Sequence, residues 1–162
     1  MENQPHTGEE YGKNLPDFPN EFTAIAFYYD YRNDQLDLLL DIAGYFDVKL
    51  NFEPDSLINL ESLYFHLFRT NGLFDFQLTL EEFESCMSVY FGEIVVRHLK
   101  NADWVVSKYP YAEEKYAMGL RRGRFTDYFS NLFEQHYLAA KDELQMMIYQ
   151  RFLRMKKRAE LK

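Results

Sequence analysis

A chain of 162 residues, 47% hydrophobic and 27% charged, is sized for one core, and its lone cysteine, Cys86, excludes an internal disulfide framework. No run approaches the roughly 20 consecutive apolar residues that cross a bilayer, and the polar, acidic Met1–Glu10 lacks the apolar heart of an export signal, so a cytoplasmic location without membrane attachment is expected. The net charge of −8 divides unevenly, with 8 Lys and Arg against 21 Asp and Glu in residues 1–120 and 10 against 5 in 121–162, so general nucleic-acid binding is disfavoured outside the basic end.

In chain order, residues 1–19 hold three of the five prolines and two of the seven glycines, the composition of a disordered or loosely draped tail ahead of one globular domain over 20–162. Glu21 to Tyr31 is ambiguous in period between a strand and the first turns of a helix, and helix is preferred. From Asp34 to Phe46, Leu36, Leu39, Leu40, Ala43 and Phe46 recur at steps of three and four and form one apolar stripe. Asp47 to Phe52 then switches to period two, with Val48, Leu50 and Phe52 facing one way, which predicts a short half-buried strand. Pro54 stops it. Ser56 is placed to cap the next helix, whose predicted buried face is Leu57, Leu60, Tyr64, Leu67 and Phe68, and Asn71-Gly72 ends that helix. His66 falls on its opposite, polar face.

Thr79 and Glu82 have the spacing of a capping box, in which hydroxyl and carboxylate each satisfy an amide that a helix start leaves free. The helix they open, Leu80 to about Lys100, is apolar almost all round its middle, the mark of a central buried element. Ser85, Ser88 and Gly92 make a ridge of small side chains along it, which suits close approach of another backbone. Gly costs a helix about 1 kcal/mol relative to Ala, so Gly92 is expected to serve packing. Strands follow at Asp103 to Ser107 and Lys115 to Leu120 around a turn at Pro110, and with Asp47 to Phe52 they predict a sheet of about three strands. From about Thr126 to Glu160 the chain reads as one long helix, or two with a bend near Ala139-Ala140. Its stripe runs through Leu132, Phe133, His136, Tyr137, Ala140, Leu144, Met147, Ile148 and Phe152.

Residues with chemical capacity are sparse. With one Cys and four His, none of the latter at i, i+4, no metal site is expected; His136 reads as a core or rim residue, and His66 and His98 as solvated. Cys86 lies among Met87, Val89 and Tyr90 and reads as a buried, inert thiol. Neither a Gly-rich phosphate loop nor a G-x-S-x-G elbow occurs, so no cofactor and no catalytic residue is assigned. Two constellations stand out. Glu93 and Arg97 are four apart in the favourable order for an ion pair, on a helix apolar enough to half-bury it, so Glu93 reads as a structural anchor first and a ligand-facing acid second. Arg121, Arg122 and Arg124 crowd Gly123 just before the predicted C-terminal helix, where they would grip an anion or pair with the acidic body. The final run, Arg154, Lys156, Lys157, Arg158 and Lys162, lies where cations complement a helix C-terminus, and it either balances the acidic body within the chain or pairs with a partner helix or a second copy.

The string YFGEIVVRHLKNADW, from Tyr90 to Trp104, resembles an uncharacterised bacterial family in which a Tyr-Phe/Leu-Gly-Glu helix is followed by a basic residue, a Trp-bearing strand and a short antiparallel hairpin. The family's upstream strand leading through a Ser into a helix is matched by Leu50 to Leu57, and the resemblance spans about residues 36–138. It implies a small α+β domain, carries no activity, and makes Glu93 and Trp104 recurrent positions. The fold class expected is thus helix-dominated α+β, with a small antiparallel sheet and a long C-terminal helix. An aromatic share of 18%, with 15 Phe and 13 Tyr, exceeds what one core needs, and surplus rim aromatics are what partner-binding surfaces use. The function expected is therefore non-enzymatic binding, immunity-type or regulatory, with a protein partner or a second copy docked through the C-terminal helix. The alternatives are an enzyme or anionic-ligand binder with a pocket near Glu93, and nucleic-acid binding through the basic end.

Overall fold

The computed structural model describes residues 12–128 and 146–160. Asn20 opens α1 (Glu21–Tyr45), its side chain accepting from the Thr23 amide at 2.9 Å and so satisfying a donor that a helix start leaves free. The two segments read apart in sequence are one helix of 25 residues. Its first half looked ambiguous because large apolar residues occupy both sides: Ala24 and Tyr28 are buried, whereas Phe22, Ile25 and Tyr29 lie outside. Ahead of it, Leu15 is buried against Tyr109 and Ala117.

Asp47 to Phe52 departs from the predicted strand. The alternation is real, since Leu50 is buried, Val48 and Phe52 are half-buried, and Asp47, Lys49 and Asn51 are exposed, but no strand pairs with this segment among the described residues. Side chains take the place of a ladder: the Phe52 amide donates to Tyr90 Oη at 3.0 Å, Asn59 Nδ2 donates to the Lys49 carbonyl at 3.0 Å, and His98 Nε2 meets the Phe52 carbonyl at 2.9 Å. Period two reports which side of an extended chain is buried; it carries no information on whether a partner strand lies alongside.

Helix α2 (Ser56–Thr70) follows, and Ser56 is its first residue rather than its cap. The Ser56 hydroxyl donates to the Glu53 carbonyl at 2.6 Å and lies 2.6 Å from Tyr90 Oη, so it ties this turn to the next long helix. Leu57, Leu60, Leu63, Tyr64, Phe65 and Leu67 form the buried face, and Phe68, expected inside, is 42% exposed. Asn71, at φ 54°, terminates α2 in the left-handed conformation, and a 3₁₀ turn spans Gly72–Phe76.

Helix α3 (Leu80–His98) starts at the expected capping box, with Thr79 Oγ1 accepting from the Glu82 amide at 3.1 Å and the Thr79 amide donating to Glu82 Oε1 at 3.3 Å. It is the interior rod. Phe83, Cys86, Met87, Val89, Tyr90, Phe91, Ile94 and Val95 are all fully buried, and each large apolar side chain so placed contributes roughly 1.5–3 kcal/mol.

Strands β1 (Ala102–Lys108), β2 (Tyr116–Arg122) and β3 (Phe125–Tyr128) form an antiparallel sheet in that order, with Trp104 opposite Leu120 and Arg122 opposite Phe125. The third strand is therefore Phe125–Tyr128, where a helix was expected. Gly123, at φ 60°, permits the two-residue turn that folds the chain straight back on β2. Helix α4 (Met147–Glu160) buries Ile148, Phe152 and Met155 and packs on α2, where the buried Glu61 accepts from the Ile148 amide through Oε2 at 3.3 Å. The predicted stripe from Leu132 to Leu144, His136 included, and the bend near Ala139-Ala140 lie outside the described residues.

Candidate functional site

The face of α3 that meets β1 carries Gly92, Glu93 and Arg97. A Cβ built on Gly92 would lie 2.2 Å from Trp104 Cη2 and 2.7 Å from Cζ2, so the gap in the helix surface receives an indole ring rather than another backbone. That seat brings Trp104 Nε1 to Glu93 Oε2, to which it donates at 2.9 Å. Arg97 Nε donates to the other oxygen, Oε1, at 3.0 Å. Both oxygens of Glu93, whose side chain is 20% exposed, thus accept from the protein's own donors.

Two cations border this bond network on aromatic faces. The Arg97 guanidinium lies 4.0 Å from the Phe52 ring centroid, and that of Arg32, on α1, lies 5.2 Å from the Trp104 ring and 5.9 Å from Tyr29. Burial pushes the Arg32 pKa below its usual value, while the nearby Glu93 carboxylate and Tyr29 oppose the shift. Sequence reasoning missed Arg32 and Phe52. A signal for Arg32 was present, because it is the one Lys or Arg between Lys13 and Lys49, in an otherwise acidic helix.

The arginine turn is a different place. Arg121 pairs with Asp103 at 3.1 Å and Arg122 with Asp127 at 2.6 Å, each within its own sheet, and Arg124 is exposed. A strand follows instead of a helix start, so the free amides expected to join an anion site there are absent from it. His98 is exposed as expected, yet it packs edge-on against Phe152 at 6.5 Å besides meeting Phe52. Cys86 is fully buried, donates from Sγ to Gln35 Oε1 at 3.1 Å, and has its thiol pushed up to about 12, chiefly by burial. Among the described residues no three His, Cys, Asp or Glu side chains converge as metal ligands, and no helix is long and apolar enough to cross a membrane.

A second arrangement lies on the outside of α1. Phe22 (84% exposed), Ile25 and Tyr29 (59% exposed) stand at i, i+3, i+7 on one stripe. Beside it, Asp30, Asp34, Asp37 and Asp41 recur at i, i+4, i+7, i+11, all exposed and none in an ion pair among the described residues. On α4, Arg154, Lys156, Lys157 and Arg158 are likewise exposed and outside any ion pair among the described residues. Among the described residues, the α4 cations and the α1 aspartates are therefore not joined to each other.

A helix-dominated α+β fold, with an aromatic-lined central helix clamped to a small antiparallel sheet through Glu93 and Trp104, is the class defined by these elements. Within it, the chain belongs to the family described as Uncharacterised protein YwmA, whose model matches residues 17–156. It is similar to the Uncharacterized protein YwmA of Bacillus subtilis (strain 168), at 39% identity over 135 residues covering 83% of this chain and 86% of that protein. The match reaches from just ahead of α1 into α4, and so takes in the aromatic N-terminal segment and the first ten residues of the basic C-terminal helix, which the motif resemblance left out. No solved structure matches.

Proposed function

We propose that this is a non-enzymatic binding protein of the bacterial cytoplasm, regulatory or immunity-type in role, which holds a protein partner on the outer face of α1. The observation that carries the reading is the row Phe22, Ile25 and Tyr29, which leaves two large aromatic rings in water on one side of a rigid helix. Aromatic anchors of this kind dominate binding energy at protein interfaces, and the flanking aspartates select a partner with basic residues around its apolar contact. The engagement of both Glu93 oxygens supports an anchoring role for that carboxylate, since a general acid or base needs a lone pair or proton directed at substrate.

The test places a photo-crosslinking amino acid at Ile25 in cells and compares the wild-type background with Phe22→Asp/Tyr29→Asp and with Glu93→Gln. The surface pair is expected to leave Tm nearly unchanged and to abolish capture of the partner, whereas Glu93→Gln lowers Tm and leaves capture intact. Equal capture by the surface pair, or loss of binding in Glu93→Gln at an unchanged Tm, would overturn the reading.

A further inference from the structure

We infer that the occupant of the α1 face is α4 of a second copy of this chain. The inference rests on the reading that the α1 face is a contact surface, and it names the partner. Both helices are exposed on the side turned away from the core, and each is ordered in the same sense along its axis. On α1 the exposed apolar residues come first, Phe22, Ile25 and Tyr29, and the acidic ridge Asp30, Asp34, Asp37 and Asp41 follows. At α4 the exposed apolar Met146 and Leu153 come first, and Arg154, Lys156, Lys157 and Arg158 follow.

The row from Phe22 to Asp41 covers about 28 Å at 1.5 Å per residue, and the 14 residues of α4, about 21 Å long, reach along it from Phe22 to about Asp37. Laid side by side in the same direction, the two helices set Met146 and Leu153 near the aromatic stripe and the cations near the aspartates. Among the described residues neither charged group is paired with the other, although the two carry opposite sign; a second copy supplies both counterparts at once. Because the contact joins unlike surfaces, it is made twice in a closed dimer or repeated in a longer assembly.

Sedimentation of the full chain, at low salt and at about 1 M, reads the association directly, since a Debye length near 3 Å screens such pairs. A mass at least twice 19.5 kDa at low salt, falling towards 19.5 kDa at high salt, is expected. Asp34→Lys/Asp37→Lys and Arg154→Glu/Lys157→Glu should each weaken self-association by about tenfold or more, and mixing the two variants should restore a complex, because one of each carries a complementary pair. Circular dichroism confirms that each variant is folded, and a photo-crosslinker at Ile25 in mixed isotopically heavy and light chains gives a readout without charge changes: heavy-to-light links to residues 146–158 are expected. A monomer at both salts, or links confined to a single chain, overturns self-pairing. If a monomer still shows Phe22-dependent capture of a different protein, the proposed function stands and only its partner is revised.

Discussion

Gly92→Ala tests the contact on which the Glu93 network depends. In an open helix this change would stabilise by about 1 kcal/mol. Here the new methyl would meet Trp104 Cη2 at 2.2 Å and Cζ2 at 2.7 Å, so the indole has to move. Overpacking of this kind costs about 1–3 kcal/mol. A displaced indole also withdraws Nε1 from Glu93 Oε2, and a hydrogen bond to a charged group is worth about 1.5–3 kcal/mol. After the propensity gain is subtracted, the net loss is about 1.5–5 kcal/mol, or a fall in Tm of roughly 3–20 °C at this chain length. Gly44→Ala is the matched control, since nothing lies within 4 Å of a Cβ built there, and it should raise Tm by a few degrees. Trp104 is the one tryptophan, so its fluorescence reports its own displacement in Gly92→Ala alongside melting by circular dichroism. Equal rises in Tm for both variants would refute the seating of Trp104 on Gly92.

Thr79→Ala should cost about 1 kcal/mol in denaturant titration, and combining it with Glu82→Ala should cost less than the sum, because the two side chains form one capping unit; strict additivity would count against the box. Glu61→Ala removes the buried carboxylate that accepts from the Ile148 amide, so hydrogen exchange should accelerate across α4 while α3 stays protected, and uniform acceleration would show that Glu61 does not pin α4. Stability should fall as pH rises from about 9 to about 12, because Cys86 and Tyr28 are both held up to about 12 in the fold and the unfolded chain releases those protons first. A flat alkaline stability profile would refute their burial.

What the primary structure resolved were features carried by neighbours in the chain. The Thr79/Glu82 box, the rod from Leu80, the Pro110 turn and the i, i+4 pair of Glu93 and Arg97 each depend on groups a few residues apart, whose relative positions local backbone geometry sets. The helix-dominated α+β class and the family resemblance followed from the same patterns. Tertiary packing settled what local pattern leaves open. The alternation of Val48, Leu50 and Phe52 marks one buried side, yet Tyr90, Asn59 and His98 rather than a strand satisfy that backbone. Gly92 signalled a close approach, but its occupant, Trp104, and the guanidinium of Arg32 over that ring come from other elements. Phe22 and Tyr29 lie in a segment of ambiguous period, and only the fold placed them outside. Burial is a property of what the rest of the chain covers, and no periodicity within a helix states which of two apolar sides will be covered.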